Sequence, residues 1–246
     1  MSVKSPLVRK VIATELYSLE EIFSMKGRIY TFLNPVSYLL AVKNKELFAP
    51  FDGIFADGSL FVGAILLLYH HLVNRRSFDM TSLAPKLFEN ANRNNKKVCV
   101  VATRQEILDV ALDKLSKEYG NIKWTGCRNG FFESDEDMLK AAKKVVDCDP
   151  DFLIVGMGAK MQEKFLLMCR DVGFRGIGFT CGGFVHQYAI NGAHDYYPEW
   201  MNKLNVRFVY RMYKEPHTRI RYAEAALKFP YCFFKEKIES YFKSDV

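Results

Sequence analysis

Lys97 to Tyr119 reads KVCVVATRQEILDVALDKLSKEY. Its first six residues, Lys97 to Ala102, form the clearest buried strand in the chain, a short apolar β-branched run. Thr103 can cap the helix that follows, Gln105 to Tyr119. The same strand-then-helix unit recurs on either side. Upstream, Arg28 to Leu33 reads as a strand and Pro35 opens a helix through Lys43. Gly53 to Ala56 reads as a strand, followed by an apolar helix from Ser59 to Leu72. Downstream, Ile122 to Cys127 is a strand, and Ser134, Asp135, Glu136 and Asp137 open a helix to Cys148. Phe152 to Val155 is a strand, Lys160 to Val172 a helix, and Gly176 to Phe179 a last strand. Strands alternating with helices of this length predict an α/β fold, a mainly parallel sheet with helices on both faces. Its crossovers are right-handed.

After about Pro198 the strand signal stops. Trp200 to Tyr213, Thr218 to Phe229 and Tyr231 to Lys243 read as short helices, broken at Pro216 and Pro230. The chain therefore divides into an α/β body, residues 1–197, and a basic helical C-terminal appendage, residues 198–246. From Lys203 to Val246 there are ten Lys or Arg against five acids, which places +5 of the whole chain's +7 at this end. Such an end suits phosphates or an anionic membrane.

At 246 residues, 49% hydrophobic and 26% charged, the composition is that of a globular protein and excludes disordered and collagenous readings. The start is basic, but Glu15, Glu20 and Glu21 interrupt any apolar stretch behind it, so no secretory signal is expected. The apolar run Leu60 to Tyr69 is too short to span a bilayer, which takes about 20 residues. The six cysteines show no CxxC spacing, so free thiols in a reducing cytoplasm are expected.

In an open α/β sheet, ligands bind beyond the carboxyl ends of the strands. Asn34 and Pro35, Ala56 to Gly58, Gly156 to Glu163, and Cys181 to Gly183 all stand at such ends. Gly156 and Gly158 suggest a dinucleotide loop, but the third glycine of GxGxxG falls on Met161, which argues against a nicotinamide-dependent oxidoreductase. No GxxxxGK[ST] occurs. Asp57 is either a general base at the cleft or a cap for the helix after it. Asp149, Pro150 and Asp151 match a metal-holding DxD, yet they precede their strand and read better as a turn. His186, close to Gly182 and Gly183, is a further candidate. Arg207, Arg211 and Lys214 share one helical face, and Arg219 and Arg221 follow Pro216; these are either a solvated surface or a clamp for a diphosphate. The basic end also raises a nucleic-acid-binding module, which no recognition motif supports. Tyr231, Phe234, Ile238 and Phe242 repeat at helical spacing with Phe233 and Tyr241 beside them and Lys235, Lys237 and Lys243 among them. They suit a headgroup boundary or pack on the body.

Taken in order, these segments resemble the WecG/TagA/CpsF glycosyltransferases, glycosyltransferase family 26, from about Tyr30 to Pro230. Asn34-Pro35 resembles the family's Thr-x-Asn-Pro element, Ala56-Asp57-Gly58 its Asp-Gly element and Gly130-Phe131-Phe132 its Gly-Tyr-Phe. Asp151 to Gly158 with Gln162 and Glu163 resembles the pDillVglGxPxQE signature. Trp200-Met201, Val209 to Arg211, Glu215-Pro216, Arg219, Arg221 and Tyr222 are similar to the family's ending. Four positions depart from the pattern. Thr31 stands three residues before Asn34 rather than two, Lys160 replaces a proline, Val185 stands where Asp is usual, and Asp195 to Pro198 replaces Arg-Ala-Pro.

The resemblance implies a Rossmann-like body with a membrane-associating C-terminal appendage, and an inverting enzyme that takes no cofactor and no catalytic metal. It implies transfer of a sugar from a UDP-sugar to a polyprenyl-diphosphate-linked saccharide in bacterial surface polysaccharide synthesis, at the inner face of the plasma membrane and without a nucleic-acid partner. On this reading Asp57 is the base, with Asn34 and Thr31 assisting. Gln162, Gly156, Gly158, Gly182 and Gly183 bind substrate, and Arg207, Arg211, Arg219 and Arg221 hold the diphosphate. A homo-oligomer is left open.

Overall fold

In a computed structural model, which describes residues 3–192, 213 and 219–242, six strands form one sheet. They are β1 (Ile29–Leu33), β2 (Gly53–Ala56), β3 (Lys97–Ala102), β4 (Lys123–Trp124), β5 (Phe152–Gly156) and β6 (Ile177–Thr180). The order across the sheet is β2-β1-β6-β5-β3-β4, and every pairing is parallel. The alternation expected of a doubly covered sheet is visible along β3. Val98, Val100 and Ala102 enter one core cluster while Cys99 and Val101 enter another.

The helices are α1 (Pro6–Thr14), α2 (Leu19–Ile22), α3 (Pro35–Lys43), α4 (Lys45–Phe48), α5 (Ser59–Tyr69), α6 (Leu83–Arg93), α7 (Gln105–Glu118), α8 (Asp135–Asp147), α9 (Met161–Asp171), α10 (Phe184–Asn191) and α11 (Arg219–Phe242). Residues of α6, α7 and α10 cover one face of the sheet, and residues of α8 and α9 cover the other. A third cluster joins α1, α3 and α5 to Leu33, Ile54 and Ala56, and α11 completes it with Phe229 and Phe233.

Four elements differ from expectation. Thr103 does not cap α7. It turns with φ 43° and its N–H donates to Gly156 O, so the cap position falls on Arg104, which makes no side-chain cap bond. The apolar helix α5 ends at Tyr69 rather than Leu72, because His70 takes the left-handed conformation and its N–H closes on Leu66 O. The strand expected to reach Cys127 keeps only Lys123–Trp124 and an isolated bridge at Arg128, since Gly126, φ 62°, turns the chain between them. Lastly, α11 runs unbroken through Pro230. Proline removes one N–H donor from a helix, but Phe229 and Phe233, on either side of it, stay packed on the same rings of the body, Tyr38 and Phe61. The boundary expected at residue 197 and the helix expected over Trp200–Tyr213 fall on or beside residues outside the described ones.

Candidate active site at the carboxyl edge of the sheet

Because β2, β1, β6 and β5 are neighbours, the turns that follow them line one continuous edge. The first turn is Asn34-Pro35. Asn34 is the N-cap of α3: the N–H groups of Val36 and Ser37 both donate to its Oδ1 at 3.0 Å, and its own N–H donates to Ser37 Oγ at 2.8 Å. Proline at the next position suits a first helical turn. The Asn34 side-chain oxygen is therefore engaged in shaping the turn.

The second turn is Asp57-Gly58. Asp57 N–H donates to Leu33 O at 2.8 Å, which ties it to β1. The cap position of α5 falls on Gly58, φ 91°, one residue after Asp57. A Cβ on Gly58 would lie 3.7 Å from Pro35 Cδ and 3.9 Å from Asn34 Cβ, so the first two turns stand side by side. The Asp57 side chain is about a quarter exposed, with Arg75 Nε 3.9 Å from its Oδ1. Arg75 is itself steered by Ser77 Oγ, which accepts from its Nη2 at 3.1 Å, and by Asp79 at 3.9 Å. Arg75 carries no motif signal; only the fold brings it beside Asp57.

The third and fourth turns follow β5 and β6. Gly156 is needed for close approach: a Cβ there would meet Cys181 Sγ and Gly182 O at 2.6 Å. Gly158 and Gly182, φ 82° and 55°, have open space where a side chain would stand. Gly183 is the N-cap of α10. Gln162 bridges these turns. Its Oε1 accepts from Gly182 N–H at 3.1 Å, and its Nε2 donates to Glu163 Oε1 at 2.9 Å.

Glu163, which in the sequence is marked only by its place in a motif beside Gln162, is the hub. It is 2% exposed. Its Oε1 also accepts from the Thr31 hydroxyl at 3.0 Å, and its Oε2 from Lys160 N–H at 2.7 Å. Since the Thr31 proton is committed to Glu163, the Thr180 hydroxyl, 2.9 Å away, donates to Thr31. Burial pushes the Glu163 carboxyl above its ordinary range, against the donors that favour its charge. Thr31, fully buried, thus sits inside the network rather than on the open edge. The network joins β1, β6 and the start of α9, and through Gln162 it fixes the turn after β6. Lys160, where the family has proline, holds φ 75°.

The other candidates are spread more widely. Arg219 and Arg221 are exposed on the first turn of α11, and Arg207 and Arg211 lie outside the described residues. His186 is exposed on α10, and Val185 is buried in the core. Asp151 lies at the amino end of β5, where its carboxylate accepts from Lys97 N–H at 3.0 Å and Lys96 Nζ at 3.2 Å. That is turn chemistry, at the edge opposite the four turns. A shallow depression lined by Val146, Asp149, Val172, Gly173, Phe174 and Arg175 lies at the same opposite edge.

Residues 11–243 match the model of the Glycosyl transferase WecG/TagA/CpsF family. The UDP-Gal:alpha-D-GlcNAc-diphosphoundecaprenol beta-1,4-galactosyltransferase of Shigella boydii is 28% identical over 214 residues, covering 87% of this chain and 89% of that protein. The N-acetylglucosaminyldiphosphoundecaprenol N-acetyl-beta-D-mannosaminyltransferase of Bacillus subtilis is 25% identical over 196 residues, 77% of this chain and 73% of that protein. The enzyme of the same name in Staphylococcus aureus is 26% identical over 166 residues, 68% and 63% respectively.

Proposed function

Because the chain belongs to the WecG/TagA/CpsF family of glycosyl transferases, we propose that it moves a sugar from a UDP-sugar to a polyprenyl-diphosphate-linked saccharide, with inversion. The observation that carries this reading to residues is that the Asp57-Gly58 and Asn34-Pro35 turns stand side by side on the edge shared with Gly158 and Gly182. The Asp57 carboxylate takes the proton of the acceptor hydroxyl as its oxygen attacks the anomeric carbon from the face opposite UDP. The new glycosidic C–O bond forms, the bond from the anomeric carbon to the phosphate oxygen breaks, and UDP leaves with that electron pair. Arg75 holds the Asp57 carboxylate in place. Arg207, Arg211, Arg219 and Arg221 stabilise the charge on the departing diphosphate. Gln162, Gly158, Gly182 and Gly183 shape the donor side, and Thr31 supports it from within. The relatives' names supply two donor sugars to try first, galactose and N-acetylmannosamine.

Among the described residues no helix is long and apolar enough to cross a membrane. The peripheral reading rests on α11. Ile220, Leu227, Tyr231, Phe234, Ile238 and Phe242 are exposed along it at helical spacing, while Phe229 and Phe233 face the body. Lys228 and Lys235 lie on the same helix, more than half exposed. This is the pattern of a helix at the headgroup boundary of an anionic leaflet.

The test is turnover of Asp57→Asn with UDP-galactose and UDP-N-acetylmannosamine on an N-acetylglucosaminyl-diphosphoprenyl acceptor. Turnover should fall by roughly 10²–10⁴ with UDP binding retained. Near-normal turnover removes Asp57 from the mechanism.

A further inference from the structure

The outer face of α5 is made of Leu60, Gly63, Leu66 and Leu67, with Leu72 just beyond its end. Leu66 is 47% exposed, Leu60 51%, Leu67 74% and Leu72 82%. From Gly58 to Asn74 the chain has no Asp, Glu, Lys or Arg. A helix that faces water carries charged or polar residues on its outer side, and a run of exposed leucines marks a contact surface.

The placement of this face says what it meets. The helix begins at Gly58, the residue after Asp57, so Leu60 stands within one turn of the candidate base. Its eleven residues make a helix about 16 Å long that starts at that edge. It is also joined to α11. Phe233 packs on Phe61 and Tyr69 with ring centroids 5.9 and 5.6 Å apart. Lys237 Nζ donates to Leu68 O and lies 5.6 Å from the Tyr69 ring centroid. These contacts fix α5 and α11 against each other in one layer. A second copy of this chain seated on the leucines would crowd the approach to Asp57, where the acceptor hydroxyl must arrive.

We propose that the exposed leucine face of α5 rests in the headgroup–acyl boundary of an anionic bilayer beside α11, so that the carboxyl edge of the sheet opens toward the lipid. This rests on the membrane reading of α11 given above and extends it from the appendage to the catalytic body. It also gives the acceptor a short path. Its prenyl chain stays in the bilayer while its diphosphate and sugar reach Asp57 at headgroup level.

Two variants of the full chain test the proposal on phosphatidylglycerol–phosphatidylcholine vesicles. In the first, Leu67→Trp, the introduced indole should shift its emission to the blue and be quenched by brominated lipid beyond the wild-type signal of Trp124 and Trp200. In the second, Leu66→Gln with Leu67→Gln, vesicle binding should fall about tenfold. Its thermal midpoint and its turnover on a short-chain, water-soluble acceptor should match wild type. Wild-type protein that ignores these vesicles overturns the α11 reading and this proposal together. Wild-type binding that the double variant retains, with the introduced indole unquenched, overturns the α5 assignment alone. A double variant that melts much earlier, or that converts a wild-type dimer to monomer with vesicle binding unchanged, assigns the leucines to protein packing and overturns it as well.

Discussion

Glu163 holds two residues of the proposed site, Gln162 and Thr31, from inside the core. Its raised pKa makes its contribution to stability depend on pH in a definite direction. The contribution is fully present below the ordinary glutamate value of 4.5 and is lost as pH rises through the raised native value. Glu163→Gln is neutral at every pH, so the melting temperature of wild type should fall relative to that of the variant as pH rises from about 4 toward neutrality. A gap that stays constant across that range would show that Glu163 titrates alike in both states. Lys160 supports a second prediction. Proline fixes φ near −65° and has no N–H, whereas Lys160 sits at φ 75° and its N–H donates to Glu163. Lys160→Pro, the residue usual in the family, should therefore destabilise by more than about 1 kcal/mol, while Lys160→Gly keeps both the turn and the donor. Equal melting temperatures for the three proteins would refute the turn geometry. These residues were only partly legible beforehand. Asp57, Asn34 and Gln162 announce themselves as polar residues at strand ends. Arg75, Thr180 and the role of Glu163 depend on which strands become neighbours, and no local pattern encodes that.

Among the elements, the strands were the easiest to read, because β-branched runs bounded by turns leave few alternatives. The helices were less fully read. α6 carries Leu83, Ala84, Leu87, Phe88 and Ala91 on one buried face with Pro85 in its first turn, and it is not among the helices expected from the sequence. In the first turn of a helix proline removes no needed bond. Pro230 is the opposite case, because it lies in the interior of α11 and does cost a bond, but the rings on both sides of it remain packed. It follows that Pro230, which is exposed, works against the helix that contains it. Pro230→Ala should restore the N–H to Ala226 O bond and raise stability by about 1–3 kcal/mol. Thermal denaturation measures this, and a lowered midpoint would mean that α11 needs its proline for shape.

At the scale of the molecule, the chain's two ends are built together. Ser5 Oγ donates to Glu236 Oε1 at 3.2 Å, Lys45 Nζ lies 3.3 Å from the same oxygen, and the Tyr38 hydroxyl donates to Oε2. Phe233 is fully buried among Tyr38, Phe61, Tyr69 and Phe229. Phe233→Ala should therefore cost about 3–5 kcal/mol, a drop of many degrees in melting temperature. The alternative that the rings of the tail pack on the body describes one side of α11, where Ala225, Phe229, Phe233 and Glu236 are buried. Deleting it would unfold the helical layer around α3 and α5, so surface substitutions are the proper probes of its outer face. Sheet order has its own consequence for how this chain is made. Among the described residues β6 is the last strand to be synthesised, yet it lies in the middle, bonded to β1 on one side and to β5 on the other. Until residue 180 leaves the ribosome, β1 with β2 and β3 with β4 and β5 are two half-sheets, each with an open edge. Such edges recruit other strands. The nascent chain is thus most vulnerable to mispairing in the interval before β6 emerges, and a ribosome stalled there would hold two half-sheets without the strand that hydrogen-bonds them together.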